Sequence, residues 1–133
     1  MQRKTKQREH IREALTALGR PLSPTEIFNQ AKKRCPSLSL ATVYRGINNL
    51  LEEGKIVRVS LPGEPDRYET DECAAHHHHH FHCDECRKVF DVAGCAEKLH
   101  PHLPEGFSVI RHEIVYYGNC KDCQKSELTR LAR

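Results

Sequence analysis

The chain has no tryptophan, one methionine, and only four Phe and four Tyr among its 133 residues. No stretch approaches the roughly 18 consecutive apolar residues that a helix needs to cross a bilayer, which excludes a membrane span. A secretory signal is missing too. Met1-Gln2-Arg3-Lys4-Thr5-Lys6 leads straight into an amphipathic segment, so the chain is expected in the cytoplasm. No internal repeat or low-complexity linker appears, apart from one short run of histidines. The absence of a His-Glu-x-x-His helix argues against a zinc hydrolase. Hydrophobic residues at 38% and charged residues at 29% exclude a disordered chain and fit one domain or two small ones.

Cysteine and histidine, by contrast, are plentiful and unevenly placed. Six of the seven Cys lie at or after position 73, and nine of the ten His lie after position 75. In a chain without a secretory signal, an odd cysteine count points to metal before disulfides. Charge divides in the same way. Residues 1–70 carry 13 Lys and Arg against 8 Asp and Glu, and residues 71–133 carry 8 against 10, which together give the net +3. A basic first half suits a polyanion, and a ligand-rich, acidic second half suits cations. The junction is expected near 71–75, giving domains 1–72 and 73–133.

The first half has helical periodicity. Ile11, Ala14, Leu15 and Leu18 form one apolar stripe over residues 6–18, closed by Gly19. Ser23-Pro24-Thr25-Glu26 is a capping box with proline at the first helical position, and Cys35-Pro36 stops the helix it opens. Cys35 reads as a buried thiol at a helix end. Ser39 caps a third helix over residues 40–53, with Leu40, Val43, Ile47, Leu50 and Leu51 on its apolar side and Gly54 as its C-cap. Ala41, Tyr44, Arg45 and Asn48 occupy the other side. Residues 55–61 alternate as a strand, Pro62-Gly63-Glu64-Pro65-Asp66 turns the chain, and residues 67–70 return. Three helices and a hairpin have the layout of a winged helix-turn-helix, whose third helix enters the major groove. Tyr44 and Arg45 are its expected reading residues, with Ser39 and Thr42 beside them. Lys4 and Arg8, with Arg3, Lys6 and Arg12, are expected to meet phosphates. Any small helical domain with solvated charges has a similar pattern.

The second half reads as metal chemistry. Cys83-x-x-Cys86 and Cys120-x-x-Cys123 are two knuckles, each able to wrap two thiolates around one tetrahedral ion. Thirty-three residues separate them, so they bracket a folded unit. Between Cys73 and Cys83 runs His76-His77-His78-His79-His80-Phe81-His82. As a strand, this run sends His78 and His80 to one face and His77 and His79 to the other, so that one strand serves two sites. A solvated polar strand is the plainer reading. Cys73 is the one soft ligand near the His pair and favours zinc. Residues 88–92 alternate as a strand and residues 94–100 suit a short helix. Residues 107–117 read as a long strand with His112 on the side of Ile110, Ile114 and Tyr116. Cys95, His100 and His102 read as bystanders.

Together these motifs resemble the ferric uptake regulator family over nearly the whole chain. The resemblance is carried by Ala41-Thr42-Val43-Tyr44-Arg45, by the His-rich Cys-x-x-Cys, and by Tyr117-Gly118-Asn119-Cys120-Lys121-Asp122-Cys123. It implies an α+β protein: an N-terminal winged helix-turn-helix followed by a small α/β dimerisation domain with a four-cysteine zinc site. It further implies a homodimeric repressor that binds an inverted-repeat operator in double-stranded DNA when metal is loaded. By resemblance, Cys83, Cys86, Cys120 and Cys123 hold structural Zn2+, and His78 and His80 are the paired regulatory ligands. His77, His79, Glu97 and His112 match a second metal site, while Asp91 and Glu69 match carboxylates of iron-sensing members. Iron and peroxide sensors carry a His just before the second helix, where this chain has Pro21. Cys73, ten residues before Cys83, is similar to the ligand Cys of the zinc uptake branch. That branch has an Asp at the start of the wing, but Ile56-Val57-Arg58 offers no acid. The regulatory set is therefore expected as Cys73, His78, His80 and Glu69, with Asp71, Glu72 or water as other choices for the last. An iron-, manganese- or peroxide-responsive member with Fe2+ or Mn2+ at that site is the alternative.

Overall fold

The computed structural model describes residues 2–94 and 103–124, with side chains from residue 6 onward. The chain divides into two compact units, Met1–His76 and His77–Arg133.

In the first unit α1 (Gln2–Leu18), α2 (Pro24–Ala31) and α3 (Leu40–Glu52) enclose one apolar core. Ile11, Ala14 and Leu15 of α1 are buried as their spacing requires, but Leu18 is 41% exposed at the helix end. The box that opens α2 is complete. Ser23 Oγ accepts the Glu26 N–H at 3.2 Å, and Glu26 Oε1 accepts the Ser23 N–H at 3.2 Å. The second oxygen of Glu26 takes Arg20 Nη2 at 2.6 Å, which fixes the entry of the chain. The helix ends at Ala31, ahead of the expected stop, because Lys33 and Arg34 tighten into a turn on the carbonyls of Gln30 and Ala31. In α3, Val43, Ile47 and Leu50 are buried, and Gly46 sits where a Cβ would stand 2.3 Å from Ile11 Cδ1. A hydrogen at Gly46 is what lets α1 and α3 cross this closely. Gly54, at φ +72°, ends α3 in the left-handed conformation that glycine adopts without strain.

The wing is an antiparallel pair, β1 (Ile56–Val59) and β2 (Arg67–Thr70), in register from Ile56 opposite Thr70 to Val59 opposite Arg67. Leu22 adds an isolated antiparallel bridge to β2, exchanging two backbone hydrogen bonds with Tyr68 at 2.9 and 2.8 Å. Thr70 then caps a single turn, α4 (Asp71–Ala74), by accepting the Cys73 N–H. Because α4 packs on β1 and β2, the first unit runs on to His76, past the junction expected after residue 72.

In the second unit a three-stranded sheet has the order β4 (Val89–Ala93), β3 (His78–Cys83), β5 (Val115–Gly118). The β3–β4 pair is antiparallel, with His80 opposite Asp91. The β3–β5 pair is parallel, with Cys83 opposite Gly118. The long strand expected over residues 107–117 is cut to Val115–Gly118, and residues 107–114 form no strand. At the start of β5 the Ile114 N–H is taken by the imidazole of His79, so pairing with β3 begins with the Ile114 carbonyl, which accepts the His80 N–H at 3.2 Å. The face shared by Ile110, His112, Ile114 and Tyr116 is lost with the longer strand, and Ile110 is 94% exposed. The expected helix over residues 94–100 lies almost wholly outside the described residues, as do Cys95, His100 and His102. No helix among the described residues is long and apolar enough to cross a membrane.

Candidate metal centres and recognition helix

The sheet of the second unit positions three groups of ligating side chains. Parallel pairing of β3 with β5 brings the two knuckles together, since Cys83 ends β3 and Cys120 follows β5 by two residues. One Sγ from each of Cys83, Cys86, Cys120 and Cys123 lies within 4.8 Å of the others. Cys86 Sγ and Cys120 Sγ stand 3.8 Å apart. A tetrahedron with Zn–S bonds of about 2.3 Å has an edge of about 3.8 Å, so these donors fit a zinc ion in spacing and softness. Cys83 Sγ accepts the N–H groups of Cys86 at 3.5 Å and Cys120 at 3.3 Å. Burial pushes the Cys83 thiol up, but those amides and the Cys86 thiol outweigh it and bring it down to about 6. Burial holds Cys86 and Cys123 above the ordinary thiol range, and for Cys123 the three neighbouring thiols add to the rise. Arg87, at φ +66°, makes the tight turn after the first knuckle and returns its N–H to the Cys83 carbonyl at 2.9 Å.

The second group lies on one face of β3. His78 Nε2 and His80 Nε2 approach the same oxygen, Asp91 Oδ1, at 3.3 and 3.5 Å. All three side chains are largely buried, at 13%, 17% and 25% exposure. Two imidazoles and a carboxylate aimed at one point suit a divalent ion of borderline hardness.

The third group occupies the opposite face. His77 Nε2 and His112 Nε2 are 3.2 Å apart, and the His79 ring lies 4.7 Å from that of His77 and 5.1 Å from that of His112. Burial lowers the His79 pKa, and the charges of His77, His112, His78 and His80 lower it further. Glu97, expected to complete this set, lies outside the described residues.

In the first unit Glu69 is buried on β2, opposite Val57, and Cys73 is exposed on α4. Among the described residues of that unit no three His, Cys, Asp or Glu side chains gather as a ligand set.

On α3, Tyr44 is 49% exposed and Arg45 is exposed. Ser39 and Thr42 are engaged locally. Ser39 Oγ caps the Thr42 N–H at 3.1 Å and meets Thr42 Oγ1 at 2.8 Å, while Arg45 Nη2 donates to Thr42 Oγ1 at 3.2 Å. Arg8 is paired with Glu53 and, with Gln7, Arg45, Asn48 and Asn49, lines an open recess of about 340 Å³ between α1 and α3. Gln7 and Asn49 share this recess although they lie on no apolar stripe. The side chain of Lys4 lies outside the described residues.

The sequence model of the ferric uptake regulator family matches residues 2–117. The chain is 30% identical over 128 residues to the zinc uptake regulation protein of Mycobacterium tuberculosis, covering 92% of this chain and 95% of that one. It is 29% identical over 124 residues to a peroxide-responsive repressor of Staphylococcus saprophyticus, covering 90% and 81%. Among solved structures it resembles the ferric uptake regulator of Helicobacter pylori, which has three functional metal binding sites, with a TM-score of 0.67 and 30% identity over 92% of this chain and 82% of that one.

Proposed function

The chain belongs to the ferric uptake regulator family and is a metal-responsive, DNA-binding transcriptional regulator rather than an enzyme; from that premise we propose that it is a cytoplasmic repressor of metal-uptake genes that answers to zinc. The observation that carries this reading is the division of labour on β3. One strand ends in the four-thiolate group, and a separate pair, His78 and His80, converges on Asp91. A site built of four sulfurs suits permanent zinc. A site of nitrogen and oxygen donors holds its ion less tightly than four thiolates do and suits sensing.

In this reading Cys83, Cys86, Cys120 and Cys123 hold structural Zn2+, and His78 and His80 hold the regulatory ion with Asp91. Cys73 and Glu69 are the donors we propose from the first unit, on the strength of the resemblance. An ion that draws on both units would set the spacing of two recognition helices in a homodimer, and spacing decides affinity for a two-fold operator. Such coupling is typically worth about 1–3 kcal/mol per linked event. Tyr44 and Arg45 are the reading residues, with Asn48 and Asn49 beside them and Arg8 and Lys4 toward phosphates. Ser39 and Thr42 act by fixing the start of the helix. The exposed apolar side chains of Phe107 and Ile110 support a second copy of the chain as partner.

Asp91 favours a second reading, because a carboxylate between two imidazoles also suits Fe2+ or Mn2+. The test is metal content per chain with Zn2+ and Fe2+ in competition, followed by operator binding for wild type and Cys73→Ser. The zinc reading expects one ion that resists mild chelation and a second, Cys73-dependent zinc that switches on DNA binding. A switch that survives Cys73→Ser and works equally with Fe2+ or Mn2+ establishes the second reading.

A further inference from the structure

His79 is 2% exposed, and its ring is already in use. Its Nδ1 accepts the Ile114 N–H at 3.2 Å. A ring nitrogen that accepts a hydrogen bond carries no proton, so the proton of the neutral imidazole sits on Nε2. That Nε2 is buried without a hydrogen-bond partner, in a ring packed beside those of His77 and His112.

Coordination needs a lone pair. If an ion binds Nε2, its proton moves to Nδ1, where it faces the Ile114 N–H, and two donors oppose each other. If the ion binds Nδ1, it takes the very lone pair that Ile114 holds. By either route, ligation through His79 and the Ile114 hydrogen bond exclude one another.

Ile114 is the residue through which the chain enters β5. Its carbonyl accepts the His80 N–H at 3.2 Å, and β5 begins at Val115. Just ahead of it lie Phe107, Val109 and Ile110, exposed by 68%, 39% and 94%. We propose that the three-imidazole face takes a nitrogen-preferring divalent ion only by letting go of Ile114, so that its occupancy unlatches the chain ahead of β5. The proposal rests on the reading that this face holds metal, and adds the gate that sets when it does so and what moves.

The experiment uses the full chain with its four-thiolate zinc in place and titrates Zn2+. Nitrogen-15 spectra of the imidazoles report ligation, and hydrogen exchange reports the Ile114 amide. The expected result is ligation of the His79 ring together with Ile114 exchange faster by about ten-fold, roughly what one amide hydrogen bond is worth. In His77→Ala, where the lost ring is exposed and folding is not at stake, the same zinc concentration leaves Ile114 protected. The proposal is overturned if His79 becomes ligated while Ile114 stays protected, if zinc is held by His77 and His112 with His79 unchanged, or if no zinc reaches this face. Operator binding by His78→Ala and His80→Ala, measured separately, tests the sensor reading, so the two fail independently.

Discussion

The two units bury opposite kinds of side chain. In the first, the innermost residues are aliphatic: Ile11, Leu22, Ile27, Val43, Ile47 and Leu50 are each at most 1% exposed. In the second, His79, His82 and Cys83 are at most 2% exposed beside the aliphatic Val89, while Ile110 and Phe107 face solvent. Burying an aliphatic side chain stabilises by about 1.5–3 kcal/mol, so the first unit has the means to fold by itself. Burying imidazole and thiol stabilises far less than burying hydrocarbon, so the second unit depends more on what its ligands hold. A core can thus be made of hydrocarbon or of coordination, and this chain uses one of each.

The strongest way to break the contrast is to remove the coordination. Cys86→Ser, or strong chelation, is expected to unfold the second unit and leave the first folded, since structural zinc is worth on the order of 10 kcal/mol in small domains. Residue-resolved hydrogen exchange checks this, and loss of protection in α1–α3 to the same extent would refute it. Acid is the next largest perturbation. Burial raises Cys86 and Cys123, so both give up a proton when metal binds near neutrality. Zinc affinity at the four thiols should fall by at least about 100-fold per pH unit on acidification, since the protons of Cys86 and Cys123 at the least are displaced. For the metal-free chain the sign at Cys83 is that of a depressed acid. Its contribution is complete above the ordinary thiol value of 9.0 and is lost as pH falls toward about 6. Competition with a chromophoric chelator between about pH 6 and about pH 8 reads the metal-linked slope, and a flat response rejects it. The smallest perturbation acts on the other unit. Gly46→Ala drives a methyl into Ile11 and should destabilise the first unit by about 1–3 kcal/mol, partly offset by the better helix propensity of alanine. Urea melts of the α1–α3 signal measure it, with metal affinity in the second unit unchanged.

These differences also decide what the sequence discloses. The helices of the first unit were legible because periodicity and caps are local signals, down to the Ser23–Glu26 box and Gly54. Leu22 was not legible as a strand residue, because its pairing with Tyr68 spans α2, α3 and β1. In the second unit the alternation of the His run correctly separates His78 and His80 from His77 and His79. The knuckle spacing likewise brings the four cysteines together. Over residues 107–114 the apolar residues alternate as a strand would, yet no strand forms, and at its end the Ile114 amide is spent on a side chain. No period in a sequence records a side chain that competes with the backbone.

The two knuckles also differ in reach from the link that a shared ion would make between them. Each Cys-x-x-Cys is a local clasp, but joining them closes a ring of chain between Cys86 and Cys120. Ring closure costs entropy that grows only with the logarithm of ring length, about 0.6 kcal/mol for a doubling. The connection between β4 and β5 is therefore free to lengthen or shorten between relatives at little cost to the clasp. Residues on that connection can diverge while the sulfur geometry stays the same.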